Sequence, residues 1–167
     1  MERYTANDGY TERDLYLFAE GHLRACELLF KSGPEYYDSA AFLGHLAIEL
    51  ALKMHLLHRT GSFPNGHNLV KLVRDAQQAA AGIEITDDGR RILKRLNKFV
   101  NARYPNPQDP VEVGDADFKY IDAYCDGLLR ACSAELRGKI ATSPKPGLVT
   151  KGRRVLMKKR IEKATST

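Results

Sequence analysis

Tryptophan is absent from this chain, and cysteine is scarce. Cys26, Cys125 and Cys132 form no CxxC pair and, being odd in number, cannot all be joined within one molecule. That excludes a disulfide framework and a cysteine-rich zinc module, and it suits a reducing, cytoplasmic setting. The opening residues, MERYTANDGYTERD, lack the apolar centre of a secretory signal. The richest apolar stretch, residues 40–57, is interrupted by His45, Glu49, Lys53 and His55, so no transmembrane segment is expected. GxGxxG and GxxxxGKS/T phosphate loops are missing, and so are HExxH and any sustained valine–isoleucine alternation. His55 and His58 stand three residues apart, but a zinc site needs further ligands that no nearby cysteine or carboxylate motif supplies. Neither a metal nor a cofactor is expected.

What remains is an ordinary globular composition. The 167 residues are 43% hydrophobic and 28% charged, enough for one domain that needs no metal or disulfide to hold it. Apolar residues recur at steps of three and four in five segments. The first covers residues 10–31, with Leu15, Phe18, Ala19, His22, Leu23, Cys26, Leu29 and Phe30 on its apolar face. The second, residues 36–59, is apolar around most of its perimeter and belongs at the centre of a bundle. Its Glu49 and Lys53, spaced i and i+4, read as a surface pair contributing about 0.2–0.5 kcal/mol. The third covers residues 69–80, starting near His67 or Asn68, and the fourth is capped by Thr86 and runs to Val100. The fifth covers residues 115–136. The resulting expectation is all-α: an up-and-down bundle of about five helices over residues 1–140, with no sheet.

Charge is distributed unevenly. The formal net charge is +5, but residues from Gly138 onward carry +8, leaving −3 on residues 1–137. Pro144 and Pro146 end the preceding helix near Ile140. Residues 141–167 then form a basic tail, either unfolded or a short helix, in which Lys151, Arg153, Arg154, Lys158, Lys159 and Arg160 are candidates for binding RNA or DNA. A solvated tail and an anionic membrane surface are the alternatives.

Three motifs stand in a suggestive order. Helix two carries Glu49-Leu50-Ala51-Leu52-Lys53, the next turn carries Gly66-His67-Asn68-Leu69, and helix four is followed by Arg103-Tyr104-Pro105. Over about residues 10–138 this set resembles the HEPN family of small helical domains. The resemblance implies a homodimer. Many members are ribonucleases that use an Arg and a His four to six residues apart on a late helix, and no Arg here is followed by a His with four, five or six residues between. Another branch carries an Arg-Tyr-Pro signature and is often paired with a minimal nucleotidyltransferase, as its partner or toxin component. That branch implies a nucleotide- or RNA-binding role. Arg103 can grip phosphate with its forked guanidinium, Tyr104 can stack on a base, and Asn101 can assist from the preceding turn. The enzymatic alternative is a metal-independent endoribonuclease with Arg103, Tyr104 and His67, or His22, as its candidates. In the third reading Arg103 and Tyr104 only pack the helix-four exit, and the protein is a helical interaction module.

Overall fold

The structure, a computed structural model, describes residues 2–79, 81–104 and 106–142. Ala80 at the expected end of helix three, Pro105 of the Arg-Tyr-Pro motif, and the basic stretch from Ser143, including Lys151, Arg153, Arg154, Lys158, Lys159 and Arg160, lie outside the described residues.

Among the described residues six α-helices build the bundle: α1 (Glu12–Ser32), α2 (Tyr37–Thr60), α3 (Leu69–Gln78), α4 (Asp87–Asn97), α5 (Asp117–Arg130) and α6 (Ala134–Thr142). Their starts follow from local chemistry. Thr11, Asn68 and Thr86 each accept a hydrogen bond from a free backbone N–H in the first turn of α1, α3 and α4. Gly61, at φ +72°, closes α2 by donating its N–H to the Leu57 carbonyl at 2.9 Å.

Helix α2 is the axis of the bundle, packing against α1, α3, α5 and the 3₁₀ helix Lys98–Arg103 that continues α4. By length and composition the stretch Pro34–Thr60 could cross a bilayer, but 78% of its most apolar window is buried inside the bundle. Ala40, Ala41, Gly44, Ala47 and Ala51 are buried, letting neighbouring backbones approach closely. The core they share includes Leu15, Ala19 and Cys26 of α1, Ile48 and Leu52 of α2, Leu69 and Leu72 of α3, Leu96, Phe99, Ile121 and Cys125.

Five expectations are corrected. A two-stranded antiparallel sheet does exist, β1 (Arg3–Thr5) on β2 (Ser62–Pro64), with Tyr4 opposite Phe63. Arg3 reinforces it by donating to the Ser62 side chain at 2.9 Å and the Ser62 carbonyl at 3.1 Å. The expected fifth helix is two helices. Ser133 accepts the Leu136 N–H at 3.1 Å and starts α6, while Arg137 donates to the carbonyls of Arg130 and Cys132 left open at the break. Helix α6 reaches Thr142, two residues beyond the expected stop. Phe18 is 56% exposed rather than core, because α1 buries the face of Leu15, Ala19, Cys26 and Phe30 beside it. Finally, the Glu49–Lys53 pair is buried, not on the surface.

At Gly44, α2 packs tightly against Ile121 of α5. A Cβ there would stand 2.7 Å from both Cδ1 and Cγ2 of Ile121, which is fully buried. Alanine is the better helix former by about 1 kcal/mol. Gly44→Ala is nevertheless expected to destabilise the protein by about 1–2 kcal/mol in urea unfolding, because overpacking outweighs propensity. A gain in stability would show that Ile121 yields freely.

Candidate functional site

Phe42, His45, Glu49 and Lys53 follow one another at steps of three and four along one face of α2. The last three are buried. His45 faces a carbonyl oxygen with each ring nitrogen: Nδ1 lies 3.1 Å from Leu96 O at the end of α4, and Nε2 lies 3.0 Å from His67 O in the turn before α3. That turn is pinned from a second side, since the Leu69 N–H donates to the Asn97 side chain at 2.7 Å. Two helix ends are thus fixed against α2.

The Glu49 carboxylate is the charged centre of this region. Lys53 Nζ donates to it at 2.7 Å, and His67 Nδ1 lies 3.1 and 3.0 Å from its two oxygens. Burial pushes the Glu49 pKa up. Hydrogen bonds from His45, Lys53 and His67, and the Lys53 charge, outweigh that effect and bring it down to about 2. Because the ionised carboxylate only accepts, His67 donates its Nδ1–H, which fixes the tautomer and leaves Nε2 to act elsewhere. The His67 side chain is 53% exposed. A half-exposed imidazole oriented by a buried carboxylate is chemically equipped to bind an anion or move a proton.

Arg103 ends the 3₁₀ helix Lys98–Arg103 and is exposed. Its guanidinium carbon lies 5.9 Å from the Phe42 ring centre and 5.2 Å from that of Tyr104. Among the described residues it carries no hydrogen bond or ion pair. Tyr104 is 69% exposed. Asn101 and Tyr104 line a cavity of about 280 Å³ together with Asp38, Asn106 and Asp109; Arg103 does not line it. Phe42, near Arg103, and Glu49, which His67 contacts, are seven residues apart, about 10 Å along α2.

The other sequence candidates are elsewhere. His22 is half-buried on α1 beside Phe18, and burial lowers its pKa. No hydrogen bond or ring contact joins it to a histidine of α2 among the described residues. His55 donates from Nε2 to the Leu128 carbonyl at 2.8 Å, and burial again lowers its pKa. Among the described residues no group of three or more His, Cys, Asp or Glu side chains is placed to hold a metal. Sequence reasoning missed the roles of His45 and Glu49 and the carboxylates of Asp38 and Asp109. The one available signal for Glu49 was its position in a helix apolar on every side.

The HEPN domain family model matches residues 13–131. This chain belongs to the HEPN domain family. The matched stretch of this HEPN protein includes α2, the Glu49–His67 contact, Arg103 and Tyr104, and extends through α5 to Ala131. No curated protein and no solved structure matches the chain.

Glu49 makes stability pH-dependent with a defined sign. Its carboxyl titrates at about 2 in the folded protein against 4.5 ordinarily, so its contribution is complete above pH 4.5 and is lost as pH falls towards 2. The full contribution is on the order of 3 kcal/mol. Glu49→Gln is expected to flatten the stability profile between pH 5 and about 2 and to lower stability at neutral pH, where it leaves the Lys53 charge buried and unpaired. Chemical denaturation at stepped pH measures both effects.

Proposed function

We propose that this HEPN protein binds RNA or nucleotides through their phosphate groups, with Arg103 as the principal phosphate ligand. The observation that carries this reading is the exposed Arg103 guanidinium, held against Phe42 and Tyr104 with no carboxylate on it among the described residues. A guanidinium pre-set by aromatic faces loses little freedom on gripping a phosphate and offers it paired N–H donors. Tyr104 supplies an exposed ring for stacking, and Asn101 an amide beside it. His67 extends the same face of α2, contacting a neighbouring part of the chain. The basic residues Lys151, Arg153, Arg154, Lys158, Lys159 and Arg160 add attraction that is independent of sequence. The nucleotidyltransferase partner and the homodimer implied by the family belong to this reading, and co-purification and solution size test them. So does a cytoplasmic location.

The oriented His67 favours a second reading, cleavage of RNA. Attack by the 2′-hydroxyl needs a base to take its proton, which Nε2 of His67 can do, and a cation to meet the charge at phosphorus. This reading ranks second, because among the described residues no contact joins Arg103 to His67.

Metal-free full-length protein incubated with structured and single-stranded RNA separates the two. Binding without cleavage is expected, with Arg103→Ala weakening it at least tenfold for every sequence and lowering the salt slope by about 1. Removing residues 143–167 lowers that slope further. Cleavage that disappears in His67→Gln would replace the binding reading with the nuclease. Absence of both leaves only a helical interaction protein.

A further inference from the structure

We propose that the cavity beside Tyr104 selects guanine among the nucleobases; this rests on the phosphate-binding reading of Arg103. The site has two halves of opposite character. Outside the cavity stands the Arg103 guanidinium, 5.9 Å from the Phe42 ring centre and 5.2 Å from that of Tyr104. Inside, no cation lines the wall among the described residues, which bring to it the carboxylates of Asp38 and Asp109, the amides of Asn101 and Asn106 and the Tyr104 ring. Neither carboxylate has a hydrogen bond or ion pair among the described residues, so both are open to a ligand. Phosphate is repelled from such a wall and drawn to Arg103. A nucleotide is divided in the same way, with an anionic phosphate at one end and a base carrying N–H donors at the other.

The donor pattern distinguishes the bases. A carboxylate accepts through two neighbouring oxygens and donates nothing. Guanine offers two adjacent donors on its Watson–Crick edge, N1–H and the 2-amino group, and these match one carboxylate as a guanidinium does. Adenine and cytosine offer one amino donor beside a bare ring nitrogen that a carboxylate repels. Uracil offers one N–H flanked by two carbonyl oxygens. With Tyr104 to stack on, the cavity complements the guanine edge alone.

The segment carrying Asn106, Asp109 and Val111 is anchored downstream by Arg95, which donates to both oxygens of Asp117 at 2.6 and 2.7 Å and to the Glu112 carbonyl at 3.2 Å. Asp117 also accepts the Gly114 N–H at 2.9 Å. Asp38 comes from a different element, the first turn of α2.

GMP and IMP, which differ only by the 2-amino group, are the decisive probes. The full chain is titrated with GMP, IMP, AMP, CMP and UMP by calorimetry or NMR shifts, alongside the Asp38→Asn/Asp109→Asn double variant and Arg103→Ala. The expected result is GMP binding at least tenfold tighter than IMP or UMP, falling to within threefold in the double variant, which still binds all five through Arg103. Equal binding of all five that depends on Arg103 overturns guanine selection and leaves the phosphate reading standing. A GMP preference that survives in the double variant overturns the role of the carboxylates. Failure of every nucleotide and of RNA to bind removes the phosphate reading, and this inference with it.

Discussion

A carboxylate buried in the middle of the most apolar helix sets the terms for the rest of this molecule. Glu49 would be costly among the alanines and leucines of α2 if it were unpaired. Three neighbours meet that cost: Lys53 one turn on, His45 one turn back, and His67 from a separate segment. Because His67 must arrive from outside the helix, the turn that carries it has to be placed accurately, and the Asn97 and His45 contacts do that. One buried charge thereby ties α2 to the ends of α3 and α4. It also gives the protein a surface imidazole of defined orientation.

The helices were legible because their signals are local. Periodicity identified α1 through α4 to within a few residues, and Thr86 and Asn68 capped the helices expected of them. The misreadings of the β1–β2 pair, Phe18 and the Glu49–Lys53 pair involve partners distant in sequence. β1 and β2 are three residues each and separated by the whole α1–α2 hairpin, so neither carries an alternating pattern long enough to detect. Phe18 obeys the spacing of the α1 apolar face, but α1 buries Leu15, Ala19, Cys26 and Phe30 and leaves it in solvent. The division between α5 and α6 rests on Arg137 reaching back to Arg130 and Cys132, a contact with no compositional mark.

The candidate site shows the same division. Arg103 and Tyr104 stood out through a motif, and His67 through its place in a turn. The cavity next to them did not, since its walls come from the first turn of α2 and from the segment before α5. Glu49 and Lys53 were visible as a pair, but their burial depends on α3 and β2 closing over them. Spacing reveals which residues share a helix face; packing decides whether water reaches it.

Helix α2 has a further consequence during synthesis. It emerges from the ribosome before α3, α4 and α5 exist to cover it, with a mean hydropathy of 1.4 over its most apolar window. A nascent segment of that kind is a candidate for capture by the membrane-insertion machinery. Each charged side chain near the centre of a would-be spanning helix raises the cost of insertion by about 3 kcal/mol. Glu49 and Lys53 sit in that position. The ion pair that shapes the folded site also biases the unfinished chain towards folding in water.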